Sequence, residues 1–142
     1  MSMECKKYKL RQNSVITAIQ FDRTKIDEYI KNNDTENLIK AIIELRDKLV
    51  EFLGISIEES YGSDKDFLDI WIYDPYIINY LGNINRDFID YQRIFNGSNI
   101  IVGVSIGDKG LHNGDYIVKY NNIFYDIVPE DEFNNKYEEI SE

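Results

Sequence analysis

Apolar positions recur along this chain with a period of two residues, which marks strands, or of about 3.6, which marks helices. The clearest strand signal lies between Gly114 and Pro129, where two β-rich runs flank Asn121-Asn122. Asparagine tolerates the positive φ that a tight hairpin turn needs, so the pair predicts the turn and, with it, the register. Tyr120 is then expected opposite Ile123, Val118 opposite Tyr125 and Tyr116 opposite Ile127, which puts these apolar side chains on one face. Ile117, Lys119, Phe124, Asp126 and Val128 fall on the other. Tyr8 to Arg11 and Val15 to Phe21 read as further strands, the second suited to the inside of a sheet. Phe67 to Tyr73 sets Leu68, Ile70 and Ile72 against Phe67, Asp69, Trp71 and Tyr73, and Ile100 to Ile106 alternates with the small Gly103 and Ser105.

The helical period begins where Thr24 can cap a short helix through Asn32, with Ile26, Tyr29 and Ile30 inward. A longer helix starts at Asp34 or Thr35. Leu38, Ile42, Leu45, Leu49 and Phe52 form its stripe, Ile39 and Ile43 widen it, and Gly54 stops it. Asp74-Pro75 reads as an N-cap and first helical residue, followed by Ile77, Leu81, Ile84, Phe88, Tyr91 and Phe95 on one stripe that Asn96-Gly97 closes and Gly82 weakens. Pro129 opens a last short helix whose first turn holds Glu130, Asp131 and Glu132, with Phe133 and Tyr137 placed to fold it back onto the sheet. These elements predict an α+β fold: a mainly antiparallel sheet with a C-terminal β-hairpin, and two longer amphipathic helices packed on one side. The chain reads as one domain, residues 1–142, with a helical insertion at about 35–95. The two long stripes serve either the core or a second copy of the chain, which makes a homo-oligomer the alternative.

Gly114-Asp-Tyr-Ile-Val-Lys, Phe124-Tyr125, Pro129, Phe133 and Tyr137-Glu138 together resemble the C-terminal signature of small phage and prophage proteins of unknown function, which reads GDYIIKG, GEFYPCKPDIFE and TYE. Ile16-Thr-Ala-Ile-Gln-Phe21 is similar to their N-terminal signature, V-x-AIQW. The chain departs from the pattern at Asp126 (Pro), Ile127 (Cys) and Phe133 (one residue late), and the long middle has no counterpart there. The resemblance implies a phage or prophage setting and carries no catalytic motif.

Hydrophobic residues make up 43% of the 142, enough for an ordered core. The net charge of −10 and pI near 4.6 repel phosphate backbones, so direct nucleic-acid binding is not expected. Acidity serves solubility or, in a phage protein, imitation of DNA. Cys5 is the single cysteine, which excludes an intrachain disulfide and a cysteine-based zinc site. With neither a signal-peptide core nor a long apolar run, the chain is expected in the host cytoplasm and not at a membrane.

The single histidine, His112, lies between Asp108 and Asp115 in a glycine-rich loop. An imidazole beside carboxylates is the minimum for acid-base chemistry or a metal site, but turn formation and solvation explain the same residues. Glu58, Glu59, Asp64, Asp66 and Asp69 cluster without the spacing of a calcium loop, and no cofactor is expected. Trp71, Tyr73, Tyr76 and Tyr80 gather at a strand-to-helix turn and could be core or a stacking surface. Lys6, Lys7, Lys9 and Arg11 form a basic cluster suited to a solvated edge strand.

The leading expectation is a non-enzymatic phage or prophage protein that binds and inhibits a bacterial host or defence protein. Trp71, Tyr73, Tyr76, Tyr80, Asp108, His112 and Asp115 are its candidate ligand- or partner-binding residues. One alternative is an oligomeric sponge for a nucleotide-type signal, drawing on the basic cluster with Arg86 and Arg93. The other is an enzyme using His112.

Overall fold

The structure, a computed structural model, describes residues 3–10, 15–55, 68–74, 89–93, 100–121 and 123–139. It is an α+β fold with two sheets. In the first, β1 (Lys6–Leu10), β2 (Val15–Gln20), β7 (Tyr116–Tyr120), β8 (Ile123–Val128) and β9 (Tyr137–Glu139) stand in the order β8-β7-β2-β1-β9, antiparallel throughout. The second comprises β3 (Leu68–Asp74), β4 (Ile89–Arg93), β5 (Ile101–Ile106) and β6 (Lys109–Gly110), in the order β4-β3-β5-β6. Its β3-β4 pair is parallel and its other pairs are antiparallel. The helices are α1 (Thr24–Lys31), α2 (Thr35–Leu53) and α3 (Glu130–Lys136).

Helix α2 forms for the reasons its sequence suggests. The Asp34 side chain accepts from the Asn37 backbone N–H at the N-terminus, and Gly54 takes φ 68° at the other end, a left-handed conformation glycine adopts without Cβ strain. Between these caps, Leu38, Ile42, Leu45, Leu49 and Phe52 are all buried. Each fully buried leucine or isoleucine contributes about 1.5–3 kcal/mol of apolar burial. Helix α1 is entered differently from the expected Thr24 cap. Asp22 Oδ1 accepts from the Thr24 N–H at 2.9 Å, which holds the Asp22 carboxyl below the usual carboxylate range.

One buried cluster joins α1 and α2 to both sheets, through Ile19 and Ile117 from the first and Leu68, Ile70, Ile72, Val102, Val104 and Ile106 from the second. A separate cluster forms on the other face of the first sheet, where Ile16, Ala18, Val118 and Val128 meet Phe133 of α3 and Tyr137. The first sheet is therefore covered on both faces, with α3 opposite α1 and α2. The short α3 folds back onto the sheet, as its Phe133 and Tyr137 spacing predicts, and adds this second layer.

The hairpin turn is where the asparagines put it, with Asn121 at φ 52° and Tyr120 opposite Ile123. The register beyond the first pairs is corrected. A bulge between Val118 and Lys119 leaves Tyr125 as an extra residue, so Val118 pairs with Asp126, Ile117 with Ile127 and Tyr116 with Val128. A one-residue slip exchanges the faces of a strand. Here it sends Ile127 toward the main core beside Ile117 and Val128 toward the α3 side beside Val118. Because both faces need apolar cover, the bulged register satisfies both.

Four further expectations change. The helix expected from Pro75 to Phe95 is overturned at Ile89–Arg93, which is strand β4 paired along β3, and its remainder lies outside the described residues. Ile89-Asp90-Tyr91-Gln92 alternates as well as it fits a helical stripe, and the open side of β3 decides for the strand. Strand β1 is not an edge, since β9 pairs with it and Lys6 meets Glu139 at 3.3 Å. Tyr137 ends α3 in an extended conformation and starts β9, and Pro129 precedes the helix as its N-cap. The loop after Ile106 contains β6, whose Lys109 ammonium pairs with Asp126 of β8 and so ties the two sheets together; that partner raises the Lys109 pKa. The segment read as a helical insertion thus contains α2 and two strands of the second sheet.

Candidate functional site

Strand β3 alternates cleanly. Leu68, Ile70, Ile72 and Asp74 are buried, whereas Asp69, Trp71 and Tyr73 point the other way and are half-buried. Trp71 pairs with Gly103 and Tyr73 with Ile101 across the antiparallel ladder. A Cβ at position 103 would overlap the Trp71 indole, so glycine there lets the ring pack directly against the neighbouring strand. Ile101, beside Tyr73, is 50% exposed, an unusual position for a large aliphatic side chain. The outer face of the second sheet therefore carries an aromatic and aliphatic strip of Trp71, Tyr73 and Ile101. Tyr76 and Tyr80, expected to extend it, lie outside the described residues.

The His112 loop is a clamped connector. Gly114 N–H donates to the Phe21 carbonyl at 2.8 Å, Phe21 N–H to the Asp115 carbonyl at 2.7 Å, and Arg23 N–H to Asn113 Oδ1 at 2.8 Å. Leu111 anchors the loop's other end, buried and donating to the Val104 carbonyl. Asp115 uses Oδ2 to accept from the His112 backbone N–H at 2.8 Å, while the His112 Nδ1 stands 3.6 Å from that oxygen. This separation is too long for a hydrogen bond, and the imidazole is 87% exposed. Asp108 is also exposed. The structure thus gives Asp115 a turn-forming role and leaves the imidazole in water. The loop and the Trp71 strip are separate features, on β6-β7 and on β3-β5.

Two features escaped sequence reasoning. Tyr8, Tyr116, Phe133 and Tyr137 form a compact aromatic cluster beneath α3: Phe133 stacks on Tyr116 with centroids 3.7 Å apart and on Tyr137 at 4.7 Å, with Tyr8 edge-on. Burial pushes the Tyr8 hydroxyl up to about 12, helped by the nearby Tyr116 and Glu139, and burial raises Tyr116 as well. The Phe133 and Tyr137 spacing was the only signal for it. The other is a cleft of about 320 Å³ between the first sheet and the C-terminal half of α2, bordered by Lys48, Phe52 and Lys119. Its residues are scattered along the sequence, and no local pattern brings them together.

Among the described residues, no group of three or more His, Cys, Asp or Glu is arranged to hold a metal ion. Glu58, Glu59, Asp64 and Asp66 of the acidic cluster lie outside them. No helix among them is long and apolar enough to cross a membrane. Compared with known proteins, the chain matches no protein-family model, no curated protein and no solved structure.

Proposed function

We propose that this chain is a phage or prophage product that acts by occupancy, binding a bacterial host or defence protein and blocking it, without catalysis of its own. The observation that carries this reading is the strip on the second sheet in which half-buried Trp71 and Tyr73 stand beside the exposed Ile101. Aromatic anchors set in a rigid sheet lose little conformational entropy on binding and are the residue types that dominate protein interfaces. The net charge of −10 adds long-range steering toward a partner with a basic rim. The resemblance of both chain ends to small phage proteins supplies the setting. The turn-forming use of Asp115 supports a binding role over acid-base chemistry at His112.

The test is affinity capture from bacterial host lysate with the whole chain, with Ile101→Glu and with His112→Ala. A stoichiometric protein partner is expected with the wild type and with His112→Ala, and is lost with Ile101→Glu. Absence of any stoichiometric partner, or a partner that ignores Ile101→Glu, sinks the reading.

A further inference from the structure

On the inner face of the first sheet, Ile19 of β2 lies beside Ile117 of β7, and Thr17 beside Lys119. The C-terminal half of α2 forms the opposite wall of the cleft. Met3, Ile19 and Phe52, all buried, supply an apolar floor. Lys48 and Lys119 stand at its border with Glu51. The Lys119 ammonium sits 4.4 Å from the centroid of the Phe52 ring, a cation-π contact that holds a flexible side chain in place. Lys6, Lys40, Lys109 and Lys136 each meet a carboxylate. Among the described residues, Lys48 and Lys119 meet none.

We propose that this cleft binds a small planar aromatic ligand carrying a single negative charge. Its volume of about 320 Å³ is at the lower end of the range of roughly 300–1,000 Å³ usual for ligand sites, which suits one ring system and one anionic group. The apolar floor takes the ring. Lys119, already positioned by Phe52, and Lys48 take the anion with little further loss of side-chain freedom. Two lysines against one glutamate leave the lining at a net of one positive charge, which favours a monoanion over a polyphosphate. An aromatic carboxylate and a cyclic mononucleotide share this chemistry. The site is independent of the protein-binding strip, so Ile101→Glu leaves it unchanged.

Cys5 also lines the cleft and, as the single cysteine, reports on it. Naphthoate, cyclic adenosine monophosphate and the uncharged naphthylmethanol are titrated into the full chain by calorimetry, with alkylation of Cys5 by a maleimide followed in parallel. Binding of either anion with slowed alkylation is expected, and which anion binds tells carboxylate from phosphodiester. Lys119→Gln and Lys48→Gln each weaken it by about tenfold, the loss of one charged hydrogen bond. Lys40→Gln, on the exposed side of α2, leaves it unchanged. The proposal is overturned if neither anion binds or slows alkylation at millimolar concentration, if binding survives both cleft substitutions, or if naphthylmethanol binds as tightly.

Discussion

Tyr8, Tyr116, Phe133 and Tyr137 are drawn from both ends of the chain and pack against one another under α3, whereas Trp71 and Tyr73 are near neighbours in sequence and project from a single strand. The first group includes Phe133 at 1% exposure and holds a helix to a sheet; the second is half-buried beside the exposed Ile101. Aromatic density along the sequence left Trp71 and Tyr73 open between core and surface, and the structural cluster was assembled from residues far apart. A strand sends alternate side chains to opposite faces, so sequence neighbours of one chemistry share whatever that face meets. A packed cluster instead recruits from every element that reaches it.

The sharpest way to break the contrast is Phe133→Ala. Removing a ring buried against three others is expected to cost about 3–5 kcal/mol, read from denaturant unfolding. A cost below about 1 kcal/mol would show that α3 is only loosely held. Next is Gly103→Ala, which drives a methyl into the space of the indole and is expected to cost about 1–3 kcal/mol. Because Trp71 is the single tryptophan, its emission should shift with the same substitution, and an unmoved spectrum would contradict the close approach. Asp115→Ala removes the acceptor for the His112 N–H and should cost about 1 kcal/mol, against less than about 0.5 for His112→Ala. Equal effects would mean that the imidazole does more than face solvent. Ile101→Glu should leave stability within about 0.5 kcal/mol while abolishing partner capture.

The smallest effect concerns pH: around neutrality stability does not vary with the ionisation of Tyr8. Tyr8 has a folded value of about 12 against 10 for an ordinary tyrosine, so its neutral form is favoured in the fold. The associated stability is present in full below pH 10 and is lost as pH rises through the folded value. Ultraviolet titration should show late-ionising phenols, their number reduced by one in Tyr8→Phe; a chain in which every tyrosine ionises at its ordinary value would contradict the burial of this cluster.

Local chemistry made part of this legible. The Leu38 to Phe52 stripe, the Asp34 and Gly54 caps, the alternation of β2, β3 and β5, and the Asn121 turn each concern residues within a few positions of one another, where periodicity and backbone preference act directly. The turn-forming role of Asp115 was readable for the same reason. The hairpin's bulge was not, because it depends on two faces that both require cover and on α3, which follows the hairpin. Strand β4 was read as helix because its residues fit either period, and β3 offered it hydrogen bonds that a helix would leave unmade.

By itself, then, the amino-acid order determined which stretches become helix or strand wherever one period was unambiguous, together with the acidity and the alternation that puts Trp71 and Tyr73 on one face of β3. Tertiary structure alone decided the second sheet, the slipped register, the aromatic layer beneath α3 and the lysine-bordered cleft. Each of these joins residues that are distant along the chain, and their contact energies exist only once a second surface is present to bury against.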